Sequence, residues 1–176
     1  FMKRPLPYLR RCRRAGLLEL LEQLRRAGCQ IGFFSDYPVE DKLDALGVRE
    51  FASVCLSAGD PEVNAFKPRP QGFQRACEVW GLAPAEVLYV GDRPEVDAAG
   101  AVAAGMRCVI IGSRGRVDSP EAFEHVDDFA TLRAWNHLQR RFQRLRQRLR
   151  RAIHLQKDNI FVVLPTPRRY LTLLSI

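Results

Sequence analysis

Short apolar runs alternate with amphipathic stretches through most of the chain, and this alternation constrains the fold more than any other feature. Four runs have the length and composition of buried strands: 31–34, 52–56, 86–90 and 107–111. Helical periodicity, followed in each case by a glycine, marks residues 16–27, 39–46, 70–80 and 95–104. Strands and helices that alternate in this way predict βαβ units and a parallel sheet covered on both faces. We therefore predict an α/β fold with a Rossmann-like parallel sheet.

Polar side chains stand where the predicted strands end. Ser35 and Asp36 follow the first strand, Asp92 follows the third, and Asp97 lies at the start of the next helix. Lys67 adds a cation in a Lys-Pro-Arg-Pro loop. Ligands of such sheets bind beyond the carboxyl ends of the strands. A hydroxyl, a cation and carboxylates at that edge have the chemistry to hold a phosphate group and a Mg²⁺ ion.

Each of these residues also has an ordinary structural explanation. Ser35 and Asp36 are residue types that favour turns and caps. Lys67, before a proline, is typical of a solvated loop charge. Asp92 and Asp97 are acids that the helix dipole favours near a first turn. Taken singly, the residues leave both interpretations open, and only their order along the chain favours a site.

The order and spacing of these motifs are similar to those of a known enzyme family. In chain order the motifs are a serine after an apolar strand at 35, K-P-x-P-x-x-F at 67–73, G-D-x-x-x-x-D at 91–97 and A-A-G-M at 103–106. This series, within residues 16–112, resembles the haloacid dehalogenase (HAD) superfamily of phosphohydrolases, and most of all its phosphoglycolate-phosphatase-like members. The resemblance implies Mg²⁺-dependent hydrolysis of a phosphate monoester on a small phosphorylated metabolite.

The resemblance also implies a role for each motif residue. Ser35 would hold the substrate phosphoryl group, with Asp36 beside it in the substrate site. Lys67 would neutralise the phosphate and the nucleophile, so that Ser35 and Lys67 are the catalytic residues implied. Asp92 and Asp97 would form the metal site, Asp92 as the Mg²⁺ ligand and Asp97 as its support. The family reaction is attack by an aspartate, an aspartyl-phosphate intermediate, and hydrolysis by water that a second aspartate activates.

The aspartate nucleophile has no counterpart in this sequence. The family carries it in a D-x-D motif on a strand before the serine motif, and no aspartate precedes Asp36 here. The acids Glu19 and Glu22 lie inside a predicted helix. We therefore expect an N-terminally truncated chain that is inactive alone, with residues 1–15 as the remnant of a cap or linker region.

The D-x-D strand is the middle of the family's sheet, so we expect this sheet to lack its central strand. Buried backbone groups left unpaired by such a loss cost about 1–3 kcal/mol each. Three outcomes stay open: the half-sheets close up, another segment fills the place, or the fold is marginal. The apolar run at 160–164 is the candidate filler, and we expect it beside the Ser35 strand.

Charge is concentrated at the two ends of the chain. The formal net charge of +8 divides into +6 for residues 1–27, −7 for 28–135 and +9 for 136–176. Residues 136–155 are predicted to form one helix with an apolar seam and an arginine-rich opposite face. An anionic membrane surface would relieve the repulsion among these arginines, and a solvated basic face is the alternative. We do not expect nucleic acid as a partner, because no recognised binding module accompanies the charge.

These observations divide the chain into three parts: residues 1–15, a HAD-like core at 16–135, and a basic helix with an apolar tail at 136–176. Five separated cysteines without a C-x-x-C pair favour a reducing compartment. No apolar run reaches about 18 residues, so we expect a cytoplasmic protein, with peripheral membrane contact through 136–155. A second hypothesis of a different class is a non-catalytic HAD-like binding or scaffold module that this helix attaches to anionic membranes.

Overall fold

A single parallel sheet forms the centre of the protein. The computed structural model describes residues 6–112, residues 123–134 and the backbone of 171–175. Within these ranges the strands are β1 (Ile31–Ser35), β2 (Val54–Ser57), β3 (Val87–Gly91), β4 (Arg107–Ile111), β5 (Glu124–Val126) and β6 (Leu171–Ser175). They lie in the order β2-β1-β6-β3-β4-β5, and every neighbouring pair is parallel. The predicted α/β fold with a parallel sheet is confirmed.

Helices connect the strands as the sequence periodicity predicts. They are α1 (Leu6–Cys12), α2 (Leu17–Arg26), α3 (Glu40–Leu46), α4 (Gln71–Trp80) and α5 (Ala99–Ala103), with a π-helical turn at Pro94–Ala98 before α5. Gly47 and Gly81 end α3 and α4 with φ angles of 68° and 64°, which side chains disfavour and glycine accepts. The helix predicted at 95–104 begins with the π-helical turn and continues as α5. The sequence did not predict α1 or β5.

Apolar side chains cover both faces of the sheet. Phe33 of β1 belongs to a buried cluster with Leu20 of α2 and Leu43 of α3. The next residue, Phe34, points to the opposite cluster, where its ring lies 5.3 Å from that of Phe73 in α4. Because successive strand residues face opposite sides, two adjacent phenylalanines can serve two cores. The sheet is thus packed between α2 and α3 on one side and α4 and α5 on the other.

A strand from the far end of the sequence occupies the middle of the sheet. The backbone of β6 pairs with β1, Phe34 opposite Ser175, and with β3, Val90 opposite Leu174. Of the three outcomes left open for the missing nucleophile strand, the structure shows the second: another segment fills its place, so the sheet has no gap there. That segment is 171–175, whereas the expected filler at 160–164 lies outside the described residues.

Several other expectations fall partly or wholly outside the described ranges. The basic helix at 136–155 lies among residues whose structure is not described, and the domain boundaries after 15 and 135 stay predictions. Among the described residues no helix has the length and apolar character to cross a membrane.

The cysteines are all free, and their burial differs. Cys77 and Cys108 are core residues, and burial raises the pKa of these thiols to about 11 and about 12. Cys29 and Cys55 are partly buried, whereas Cys12 is exposed and is not a core residue. The high pKa values keep the two core thiols protonated and unreactive at neutral pH.

Candidate functional site

Ser35 ends β1 at the carboxyl edge of the sheet. Its side chain is buried, with the whole residue 1% exposed. The Ser35 hydroxyl oxygen accepts a hydrogen bond from the Tyr37 amide at 3.2 Å and another from Lys42 Nζ at 2.7 Å. A hydroxyl has two acceptor positions and one donor, so both acceptor positions are in use. What the Ser35 hydroxyl still offers is its O–H donor.

Asp36 connects the loop after β1 to two other loops. Its Oδ1 accepts a hydrogen bond from the Lys67 amide at 3.1 Å, and its Oδ2 accepts one from Arg93 Nη2 at 3.1 Å. The Asp36 side chain is 16% exposed, so this carboxylate is largely screened from water. Arg93 follows β3, which is separated from β1 by β6. Asp36 therefore holds together loops from both sides of the central strand.

Lys67 and Asp97 form a buried ion pair below these loops. Lys67 Nζ lies 2.8 Å from Asp97 Oδ1, and the two side chains are 2% and 0% exposed. The Tyr89 hydroxyl donates to the same oxygen at 2.9 Å. Two prolines in the Lys67 loop restrict its backbone before α4 begins. The Lys67 ammonium is thereby brought against the end of β3.

The carboxylate of Asp97 has no unused acceptor position. Besides the two donors at Oδ1, its Oδ2 accepts the amides of Asp92 and Arg93, both at 3.1 Å. An ionised carboxylate has about four acceptor positions, and all are taken here. Burial would raise the pKa of Asp97, but the Lys67 charge and these hydrogen bonds hold it below its ordinary value.

Gly91 explains why Asp97 can approach the end of β3 so closely. A Cβ atom at residue 91 would lie 2.5 Å from the Asp97 Cβ and 2.7 Å from its Oδ2. Such distances are far below van der Waals contact, so a side chain at this position and the present Asp97 exclude each other. The glycine of the G-D motif is therefore required by the acid six residues later.

Asp92 is placed very differently from Asp97. Its side chain is 49% exposed and forms an ion pair with Arg14 Nη2 at 3.1 Å. It is the one member of the predicted metal pair with open acceptor positions. Of the described residues, no group of three or more His, Cys, Asp or Glu is arranged to hold a metal ion. Because Mg²⁺ needs several oxygen ligands and Asp97 is saturated, the described residues do not by themselves make a magnesium site.

The central strand supplies no carboxylate to this edge. Residues 171–175 read Leu-Thr-Leu-Leu-Ser, and β6 runs parallel to β1 and β3, so its carboxyl end meets theirs. The absence of a D-x-D motif, noted in the sequence before Asp36, thus extends to the strand that occupies the middle of the sheet.

All five predicted site residues lie at this one edge, and within the described ranges four further side chains form hydrogen bonds to them. Lys42, Tyr89, Arg93 and Arg14 hydrogen-bond to Ser35, Asp97, Asp36 and Asp92 respectively. The sequence held a signal for Lys42, since it is the one base among three acids in α3. Tyr89 is the one polar-tipped residue of an apolar strand. Nothing comparable marks Arg14, whose partner is 78 residues away.

The chain is similar to one family of known hydrolases. Residues 10–105 match the family model of the haloacid dehalogenase-like hydrolases. A phosphoserine phosphatase of Thermus thermophilus is 34% identical over 58% of this chain and 41% of its own length. A glyceraldehyde 3-phosphate phosphatase of Methanopyrus kandleri is 36% identical over 64% of this chain and 49% of its own. The chain spans about half the length of the curated relatives it matches.

Solved structures give the same result. A HAD phosphatase from Thermococcus onnurineus has a TM-score of 0.61 and 30% identity, covering 68% of this chain and 56% of its own. A predicted phosphoglycolate phosphatase from Haemophilus somnus has a TM-score of 0.59 and 27% identity, with coverages of 68% and 55%. More than half of the sequence matches the family model. The chain belongs to the haloacid dehalogenase-like hydrolase family.

Proposed function

We propose that this chain is the part of a HAD-type phosphatase that binds the phosphate group of a small phosphate monoester, and that it does not hydrolyse the ester alone. One observation carries the proposal. Ser35 ends β1 and the Lys67 ammonium pairs with Asp97 just after β3, whereas the strand between β1 and β3 has no aspartate. In this proposal Ser35 and Lys67 hold the phosphate, and the described residues of the central strand offer no carboxylate to attack it.

The relatives support a phosphorylated small molecule as the ligand. The names of the matched proteins are those of phosphatases for phosphoserine, glyceraldehyde 3-phosphate and validoxylamine A 7′-phosphate. Their alcohols differ and the phosphate is common to all. This pattern favours a site that recognises the phosphate first, as a buried serine and two nearby lysines would do.

In this proposal Mg²⁺ is needed for hydrolysis of the phosphate ester and not for the binding of phosphate. Asp92 is the ligand that this chain would offer, and Asp97 would act on it indirectly, through its hydrogen bond to the Asp92 amide. When bound, Mg²⁺ supplies charge neutralisation at the phosphoryl oxygens. Among the described residues no cluster of three or more potential ligands forms such a site, so the contribution that we assign to this chain is phosphate binding.

Calorimetric titration with inorganic phosphate tests the proposal. The wild-type chain should bind phosphate, and Ser35→Ala should weaken the binding by about tenfold, the usual effect of one hydrogen bond to a charged group. Ser53→Ala is the matched control, because Ser53 precedes β2 and bonds to the Ile31 carbonyl at the opposite edge of the sheet. Absence of binding by the wild-type chain would contradict the proposal.

A second candidate function is membrane attachment. Residues 136–155 contain seven arginines, and no acid occurs between residues 129 and 157. This run favours a cytoplasmic, non-catalytic scaffold held on anionic lipid by a basic helix. Co-sedimentation with vesicles that contain phosphatidylserine should then be strong at low salt and weak at high salt. Equal sedimentation with neutral and anionic vesicles would argue against it.

A further inference from the structure

Four cations lie around the carboxyl ends of β1 and β3, and three of them face a carboxylate. The three ion pairs are Lys67–Asp97, Arg93–Asp36 and Arg14–Asp92. The fourth cation is Lys42, on the first turn of α3. No carboxylate oxygen of the described residues lies within 4.0 Å of Lys42 Nζ. The edge of the sheet therefore carries one positive charge without a close negative partner.

The surroundings of Lys42 make this charge costly. The side chain is partly buried, with its ammonium 2.7 Å from the Ser35 hydroxyl and 5.5 Å from the centre of the Tyr37 ring. Burial and repulsion by Lys67 lower the pKa of Lys42, and Asp36 only partly opposes them. A hydroxyl and an aromatic ring are weak partners for an ammonium ion. A ligand with negative charge would stabilise this arrangement.

Ser35 has a complementary vacancy in its hydrogen bonding. Its two acceptor positions are filled by Lys42 and the Tyr37 amide, and among the described residues no acceptor receives its O–H. The residue is 1% exposed, so water does not freely replace such an acceptor. One unused donor and one unneutralised cation thus lie 2.7 Å apart.

We propose that Lys42 is a phosphate-binding residue of this site and that it supplies the charge that the bound phosphate neutralises. One phosphate oxygen would accept a hydrogen bond from the Ser35 hydroxyl, and another would accept one from Lys42 Nζ. The charge of Lys67, in contrast, is shared with Asp97 inside the protein. This inference rests on the proposed phosphate binding and adds the residue on which the affinity depends.

Titration of the full chain with inorganic phosphate, without metal, tests the inference. Lys42→Met should weaken phosphate binding by at least about tenfold, since a charge-assisted hydrogen bond is lost. Lys42→Arg should restore most of the affinity, because it keeps the charge. Arg26→Met is the control: it removes the same charge from the end of α2, near the start of β1. It should leave the affinity unchanged.

The same titrations separate this inference from the proposed function. If the wild type binds phosphate, Ser35→Ala weakens the binding and Lys42→Met does not, the inference is wrong while the proposed function stands. If the wild type does not bind phosphate, the proposed function is wrong, and the inference that rests on it is wrong as well. Lys42→Gln serves as a second variant, and urea unfolding should give each variant the wild-type stability within about 1 kcal/mol. Weak binding by both uncharged variants, with rescue by arginine, is the outcome that supports the inference.

Discussion

The Lys67 ammonium and the Asp97 carboxylate lie 2.8 Å apart and are almost completely buried. This pair joins the loop before α4 to the π turn after β3, and the second Asp97 oxygen fixes the amides of Asp92 and Arg93. Asp97 thus fixes the Lys67 loop and the start of the turn after β3 relative to each other. Such a pair adds little net stability compared with apolar residues, but removal of one partner leaves a buried charge.

Asp97→Asn should therefore destabilise the protein strongly. The amide cannot neutralise Lys67, and the variant should lose about 3–5 kcal/mol of unfolding free energy in urea. Asp41→Asn, in the exposed first turn of α3, removes the same charge and should change the stability by less than about 0.5 kcal/mol. Similar stabilities of the two variants would mean that Lys67 does not depend on Asp97.

The low pKa of Asp97 also predicts a pH dependence. The pKa of Asp97 in the folded protein lies below the ordinary value of 3.8. As the pH falls, this carboxylate is therefore protonated at a higher pH in the unfolded chain than in the folded protein. The contribution of Asp97 is therefore complete above the ordinary pKa and is lost as the pH falls through the folded value. The free energy of unfolding in urea should fall more steeply between pH 6 and pH 2.5 for the wild type than for Asp97→Asn. Parallel curves would contradict the assignment.

Gly91→Ala tests the close approach of Asp97 to β3. The added methyl group would overlap the Asp97 side chain, and the cost of such overpacking is about 1–3 kcal/mol. Gly59→Ala is the control, since a Cβ atom at residue 59 meets nothing within 4 Å. Thermal unfolding should show a clearly lower melting temperature for Gly91→Ala and little change for Gly59→Ala. Equal melting temperatures would show that residue 91 has room.

Leu173→Pro tests the central position of β6. Residue 173 lies opposite Gly32 of β1 and Tyr89 of β3, and proline removes its amide donor from the sheet. Hydrogen exchange should become faster in both β1 and β3. Leu173→Ala separates the loss of the side chain from the loss of the amide and should leave the exchange of these strands slower than in the proline variant. Unchanged exchange after Leu173→Pro would place β6 outside the sheet.

Local pattern predicted most of the sheet and could not predict its centre. Strands β1 to β4 are short apolar runs bounded by turn residues, and that signal depends only on neighbours in the sequence. Two apolar runs occur in the tail, and 160–164 has more β-branched residues than 171–175. The choice of a central strand depends on long-range pairing with β1 and β3, which local propensity does not encode.

The candidate site was predictable to a similar extent. Ser35, Lys67 and Asp92 were predicted to lie at one edge because parallel strands end together, and they do. The sequence did not distinguish the saturated Asp97 from the open Asp92, since both are acids of one motif. Lys42 was missed because its contact with Ser35 depends on how α3 is rotated against the sheet.

The central claim is that this chain binds phosphate and lacks the means to hydrolyse its esters. The most direct test is incubation of the full chain with para-nitrophenyl phosphate and Mg²⁺, beside calorimetric titration with inorganic phosphate. We predict phosphate binding with no release of para-nitrophenol above the buffer rate. Turnover by the wild type that Asp92→Asn abolishes would contradict the account, because the chain would then contain a nucleophile of its own.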